Sequence, residues 1–321
     1  MKTLDLESVK KRLEKQQYRF SGRNTAVKIC SWTKKSLLDK DICYKQKFYG
    51  IQSHRCCQMS PAVNFCQNSC IFCWRSFADT EGFHEIPKEI ADDPEKIITK
   101  SIEKQRELLS GFGGNKKINL DKFREAQDPK HFAISLTGEP TLYPYLNEFI
   151  ELLHMRGITT FVVTNGLRPE VLRNIKPTQL YVSVDAPNEE LYLKVDRPKI
   201  KNAWKFFNET LSVIGEKRNE CVRTCLRITL IKGINDVFPE QYAELIKKSN
   251  PLFVEVKAYM HVGESVKRLK KENMPLHEEV FEFAKNIAEF CDWKIVDEKK
   301  ESRVVLLMKS EDLDKRFIKI N

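Results

Sequence analysis

The chain has 321 residues, with 55 Lys plus Arg against 45 Asp plus Glu, a formal net charge of +10 and 41% hydrophobic residues. That is enough apolar content for a real core, yet no apolar run reaches the roughly 18 residues of a membrane span, so none is expected. The basic balance favours a polyanionic partner such as nucleic acid. Ten cysteines behind a start with no apolar leader, Met1–Glu7, point to a cytoplasmic protein whose thiols serve metal or catalysis rather than disulfides.

Residues 1–29 are basic and amphipathic, and Leu6, Val9 and Leu13 share one helical face. Four cysteines follow, Cys30, Cys43, Cys56 and Cys57, with 13 residues from Cys30 to Cys43 and 13 again from Cys43 to Cys56. That even spread is not a zinc-ribbon spacing. Three thiols here suit a second iron–sulfur cluster with one open iron, the competing reading being buried free thiols. Spacing alone does not choose between Cys56 and Cys57. Lys45 lies two residues after Cys43, in Cys43-Tyr44-Lys45-Gln46-Lys47. A lysine in a low-dielectric or cationic site loses basicity and can attack a carbonyl. Lys47 is its neighbour and competitor.

Met59 to Phe65 is apolar and reads as a buried strand feeding Cys66, Cys70 and Cys73. This is C-x3-C-x2-C. Three thiolates so close can hold three corners of a cubane, and no fourth cysteine follows at a ferredoxin-like spacing, which leaves one iron open for a cofactor. A zinc knuckle is the alternative, but zinc prefers four ligands, commonly in C-x2-C pairs.

Asp93-Pro94-Glu95 opens a helix that ends near Gly111. Residues 112–130 are polar and read as an exposed insertion. From His131 the pattern is regular. Strands are expected at 131–136, 158–163, 180–184, 222–231 and 252–259. Helices are expected around Leu146–Leu153, Val171–Leu172, Trp204–Ile214, Tyr242–Ile246 and 276–291, and strands at 293–296 and 304–308 close the chain. Cys221 and Cys225 fall on one strand as core thiols, Cys291 on the apolar stripe of the last helix, and His261 carries no assigned role. About six strand–helix units predict right-handed βαβ connections and a parallel sheet, as in a partial α/β barrel. Functional residues then belong at the C-terminal strand ends, where Gly138-Glu139-Pro140, Asn165, Ser183 and Asp185 fall.

The Cys66-x3-Cys70-x2-Cys73 motif followed by these turns resembles the radical S-adenosylmethionine (SAM) superfamily. There the open iron chelates SAM, and an electron from the cluster cleaves it to a 5′-deoxyadenosyl radical. The resemblance places Phe72 near the adenine, and Gly138 and Glu139 at the SAM amino group, although Thr137 replaces the first glycine of the usual turn. Asn165, Ser183 and Asp185 are placed toward the ribose or methionine moiety. The N-terminal triad Cys30, Cys43 and Cys56, the Cys-Tyr-Lys around Lys45, Asn-Phe-Cys, Cys-x-Phe-Cys-Trp-Arg and Thr-Gly-Glu-Pro-Thr together resemble the archaeal tRNA 4-demethylwyosine synthase family, over about residues 20–310.

That resemblance implies an α/β radical SAM fold, a partial (β/α)6 barrel with an N-terminal extension (1–58) carrying a second cluster, a core (59–262) and a C-terminal extension (263–321). It implies a carbon–carbon lyase that condenses N1-methylguanosine, 3′ of the anticodon in tRNA(Phe), with pyruvate carbons to form tricyclic 4-demethylwyosine. The cofactors would be SAM and two 4Fe-4S clusters, one on Cys66, Cys70 and Cys73 and one on Cys30, Cys43 and Cys56. Lys45 matches the position of a Schiff-base lysine, and the second cluster is the other place for pyruvate. The flavodoxin-like domain of eukaryotic members is not in this sequence, so a separate flavodoxin- or ferredoxin-like donor and a monomeric enzyme are expected. The target base must leave the anticodon stack. Trp74 and Tyr259 are candidate platforms for it, and Lys116-Lys117 and Lys267–Lys271 are candidate phosphate contacts. Two other readings compete, a different radical SAM enzyme with an auxiliary cluster and a non-enzymatic iron–sulfur or zinc RNA-binding protein.

Overall fold

The computed structural model describes residues 6–77 and 84–319; the start at Met1–Asp5, read above for a leader, lies outside the described residues. The chain divides into two compact units. One comprises Met1–Cys66, Ala78–Val163 and Ile175–Thr178, and the other Gln67–Phe77, Thr164–Asn174 and Gln179–Asn321.

In the first unit α1 (Leu6–Lys15) precedes the short strands β1 (Arg19–Phe20) and β2 (Ala26–Lys28). These pair antiparallel with each other and, through β2, with β3 (Cys56–Ser60). Parallel pairing then joins β3 to β4 (His131–Ile134) and β4 to β5 (Thr159–Thr164). The strand expected from Met59 to Phe65 instead starts at Cys56 and stops at Ser60. Pro61 has no N–H for the ladder, so the chain leaves the sheet and loops toward Cys66.

Two short helices, α2 (Ser31–Leu37) and α3 (Tyr44–Tyr49), fill the cysteine-bearing segment. The longer α4 (Pro94–Ser110) starts as its sequence requires, with the Asp93 carboxylate accepting the Lys96 amide at 2.9 Å. Residues 112–130 are mostly exposed or half-buried, as expected, but they carry a helix and are pinned to the first unit. Asn119 caps α5 (Leu120–Glu125), and Ile118 and Phe123 pack on Ile29, Leu37, Leu109 and Ala126. Those apolar residues are too sparse among lysines to show a period, but burying them holds the segment down. Helix α6 (Leu146–Met155) ends as predicted, with Gly157 at φ +66°.

The second unit carries α7 (Pro169–Asn174), β6 (Gln179–Ser183), α8 (Glu189–Val195), α9 (Ala203–Asn219), β7 (Arg223–Leu230), α10 (Pro239–Ser249) and β8 (Phe253–Ala258). Strands β6, β7 and β8 are parallel. After α11 (His277–Cys291), β9 (Lys294–Lys299) and β10 (Val304–Met308) return antiparallel, with β10 between β8 and β9. Every residue of β10 is buried, so it covers what would otherwise be an open apolar edge of β8. Each unit thus holds three parallel strands with helical connections, the expected α/β class. Cys221 departs from expectation: it is exposed, at φ +62° before β7 begins, while Cys225 and Cys291 are buried. Among the described residues no helix is long and apolar enough to cross a membrane.

Candidate active site

In the first unit Cys30 and Cys43 occupy equivalent positions, each the extended residue immediately before a helix, at ψ 145° and 143°. Cys56 opens β3 directly opposite His131 of β4. Ser53, 1% exposed, ties these segments together. Its carbonyl accepts the Thr33 hydroxyl of α2 at 3.0 Å, and its hydroxyl accepts the Cys43 amide at 3.3 Å. Its own amide donates to the Gln46 side chain of α3 at 3.0 Å. The Cys56 carbonyl is held from α4 by the Gln105 amide group at 3.2 Å. Burial pushes the Cys56 thiol up to about 12; negative charge at Cys43 and Cys30 adds to this, and Lys45 opposes it. The three thiols and the ammonium therefore share one electrostatic neighbourhood. The set is purely thiol, the donor type of iron–sulfur clusters. Cys57 points the other way along β3, fully buried, as the strand alternation requires.

Lys45 is 8% exposed and its ammonium lies 4.8 Å from the Phe161 ring centroid, whereas Lys47 is exposed. Phe161 is steadied edge-on by His131, ring centroids 6.5 Å apart. The His131 tautomer follows from its partners. Nε2 accepts the Gln52 amide at 3.1 Å, and Nδ1 faces Thr159 Oγ1 at 2.7 Å. The Thr159 hydroxyl donates to the Lys130 carbonyl, so Nδ1 carries the proton and the ring is neutral. Burial lowers its pKa to about 4, and the positive charge of Arg55 and His54 adds to this. Nothing in the sequence around His131 or Ser53 marked them; their signal is the register of β3 against β4 and the fold of the two short helices.

Gly138 and Glu139 are stitched to the entry of the cysteine motif. Gly138 has φ +71°, and a Cβ there would sit 1.8 Å from the Ala62 carbonyl oxygen and 2.9 Å from that of Phe65. The Glu139 amide donates to the Phe65 carbonyl at 2.7 Å. Its carboxylate, 2% exposed, accepts the Thr141 amide at 3.1 Å and hydroxyl at 2.7 Å. Only glycine allows this approach, one residue before Cys66.

In the second unit the Asn68–Ile71 stretch lies along the end of α8. The Ile71 amide donates to the Val195 carbonyl at 2.9 Å, the Ser69 amide to that of Asp196 at 3.1 Å, and the Cys70 thiol to Asp196 Oδ1 at 3.3 Å. Burial, then the charge of Asp185, holds the Asp196 carboxyl far above the usual range; burial raises Asp185 to about 6. Arg75 donates through Nε to Cys73 Sγ at 3.2 Å and through Nη2 to the Asn68 carbonyl at 2.7 Å. A cavity of about 160 Å³ opens here, lined by Phe72, Trp74 and Tyr259 with Arg227 and Lys257.

Of the strand-end residues, Asn165 folds its side chain onto the Leu167 amide at 3.0 Å, and Ser183 is half-buried at the end of β6. Asp185 Oδ1 accepts the Thr229 amide at 2.7 Å, and its carbonyl accepts the Asn235 side chain at 2.8 Å. Asp185 thus ties the β6 end to the β7 end. Tyr259, offered as a base platform, is 1% exposed with its hydroxyl on Ser265 at 2.8 Å; Trp74 is half-buried. His261 Nε2 faces the Leu269 carbonyl at 3.0 Å. Within Lys267–Lys271 the lysines are exposed, but Arg268 turns inward.

Comparison with known proteins points the same way over most of the chain. Residues 60–247 match the radical SAM superfamily and residues 248–309 the family described as wyosine base formation. The tRNA 4-demethylwyosine synthase of Pyrococcus abyssi is 47% identical over 98% of this chain and 92% of its own length. That of Methanocaldococcus jannaschii is 44% identical over 94% of this chain and 96% of its own. A solved structure of TYW1 with a bound lysine–pyruvate adduct is 42% identical and superposes with a TM-score of 0.85, covering 97% of both chains. A crystal structure of archaeal TYW1 is 38% identical with a TM-score of 0.78, covering 97% of this chain and 98% of the other.

Proposed function

Since the chain belongs to the family of S-adenosyl-L-methionine-dependent tRNA 4-demethylwyosine synthases, with the radical SAM α/β fold, we propose that it condenses N1-methylguanosine, 3′ of the anticodon in tRNA(Phe), with carbons of pyruvate to form 4-demethylwyosine. The reaction class is a carbon–carbon lyase. SAM and a 4Fe-4S cluster, when bound, supply the hydrogen-abstracting radical chemistry. In this reading Cys66, Cys70 and Cys73 hold that cluster by virtue of their contiguous spacing. Phe72 faces the adenine, Gly138 and Glu139 receive the SAM amino group, and Asn165, Ser183 and Asp185 shape the ribose and methionine side. Residues 1–58 carry a second 4Fe-4S cluster on Cys30, Cys43 and Cys56, 59–262 form the catalytic core and 263–321 pack as an extension. Electrons come from a separate flavodoxin- or ferredoxin-like protein, and the enzyme works as a cytoplasmic monomer.

The observation that carries the pyruvate half is the buried Lys45, its ammonium over Phe161 and beside the three thiols. A relative with a lysine–pyruvate adduct supports the same reading. The Lys45 amine attacks C2 of pyruvate, water leaves, and an imine forms. Lys47 is exposed to solvent instead.

Borohydride reduction in the presence of pyruvate, followed by peptide mapping, is expected to place a stable secondary amine on Lys45. The adduct disappears in Lys45→Met and persists in Lys47→Met. An adduct on Lys47, or none in the wild type, overturns this assignment. Iron after anaerobic reconstitution is expected to fall from about eight to about four per chain when Cys30, Cys43 and Cys56 become Ala, the content of two cubanes against one. About four in both proteins removes the second cluster.

A further inference from the structure

The wyosine-type C-terminal region grips the cysteine loop of the same unit. At Gly263, φ +60°, an added Cβ would lie 2.4 Å from the Trp74 carbonyl oxygen, so the two backbones run in direct contact. The Glu264 amide donates to that carbonyl at 2.9 Å. Arg268 Nε donates to the Ile71 carbonyl at 3.0 Å, Nη2 donates to the Cys73 carbonyl, and the guanidinium lies 4.1 Å from the Phe77 ring centroid. The next residue, Leu269, is buried with Ile71, Val195, Ile231 and Tyr259. Ser265, fully buried, fixes the segment to the end of β8 by bonding the Tyr259 hydroxyl at 2.8 Å and donating to the Val262 carbonyl at 2.6 Å.

Backbone carbonyls in an irregular loop have no ladder to satisfy them, and leaving them unpaired and part-buried is costly. One planar fork reaches two of them, on either side of Phe72, and a lysine ammonium has no such paired geometry. We propose that Arg268 is a positioning residue for the radical SAM cluster: it holds the Ile71–Cys73 turn so that Cys73 is presented in ligand-ready form before the cluster arrives. The inference rests on the reading that Cys66, Cys70 and Cys73 are the cluster ligands, but its first readout needs no cluster. The specialised C-terminal region thereby becomes part of the machinery that shapes the general motif.

The test is amide hydrogen exchange of the apo protein. Arg268→Met is expected to speed exchange across residues 70–77 by about ten-fold or more while α9 and α10 keep wild-type protection. Arg268→Lys, which keeps the charge and the fold's solubility, is expected to behave like Arg268→Met, and Lys267→Met and Lys270→Met like the wild type. Wild-type exchange at residues 70–77 in either Arg268 variant overturns the proposal. So does full recovery by Lys, which would assign the effect to charge alone. Reconstitution in the Cys30/Cys43/Cys56→Ala background then isolates the motif cluster. A slower iron uptake and a broadened electron paramagnetic resonance spectrum are expected with Arg268→Met. Failure of the wild type to take up any iron on the motif would instead sink the cluster assignment and leave the exchange result standing.

Discussion

Two cysteine sets in this molecule are held in opposite ways. Cys70 and Cys73 sit in one short loop, and their placement comes from backbone: amides of Ser69 and Ile71 on the end of α8, carbonyls of Ile71 and Cys73 on Arg268. Cys30, Cys43 and Cys56 lie on three separate elements, and their placement comes from side chains that cross between those elements, chiefly Ser53, Gln46 and Thr33. A local motif needs only its loop to be held in shape. A dispersed set needs a polar network, and buried networks are costly when half-satisfied. The dispersed set should therefore fail when a side chain of that network is lost, and the local set only when a close backbone contact is broken.

The largest effect tests the local side at its entry. Gly138→Ala forces a Cβ into the Ala62 carbonyl at a backbone conformation that alanine resists. A loss of about 3 kcal/mol or more is expected in urea unfolding of the apo protein, together with loss of SAM-dependent turnover. Unchanged stability would mean that the 62–66 turn shifts freely, and the contrast between rigid loop and tied network would weaken.

Ser53→Ala probes the dispersed side. It removes the acceptor for the Cys43 amide while leaving every cysteine in place. A cost of about 1–3 kcal/mol is expected, the range for orphaning a buried partner. Iron should fall toward that of the triple cysteine variant while the motif cluster loads normally. Equal iron in Ser53→Ala and wild type would show that the three elements hold their geometry without this hub.

The last effect, no larger than that of Ser53→Ala at its upper end, is a pH dependence. His131 titrates near 4 in the fold against 6.5 when unfolded, so the unfolded chain binds the proton first. Its contribution is absent above the unfolded value, and stability is lost as pH falls from about 6.5 toward 4. Between pH 7.5 and pH 5 this amounts to about 2 kcal/mol in the apo protein, on the scale of about 1.4 kcal/mol per pH unit. His54, whose pKa burial also lowers, pushes in the same direction. His131→Gln should flatten the slope measured by urea midpoints, and an unchanged slope would assign the acid sensitivity to other groups.

Short-range features were legible in the sequence because their physics is short-range. The C-x3-C-x2-C spacing, the strand-end Gly138-Glu139-Pro140, the Asp93-Pro94 helix start and the alternation of strands with helices each depend on a few neighbouring residues or a repeating period. The regular half from His131 onward therefore read nearly element by element, with the seven-residue α8 missed. The first 60 residues read poorly, since α2, α3, β1 and β2 are two to seven residues long and owe their form to what they pack against.

Sequence by itself determined the family, the fold class and the cysteine motif. Only the tertiary structure decided which lysine is buried, since Lys45 and Lys47 differ in no local pattern and face opposite sides of one helical turn. Tertiary contacts alone turned Arg268 out of a basic run and onto Cys73, 195 residues away in the chain. Contacts at such separations depend on where whole elements pack, and a lone serine, histidine or arginine leaves no periodic trace of them.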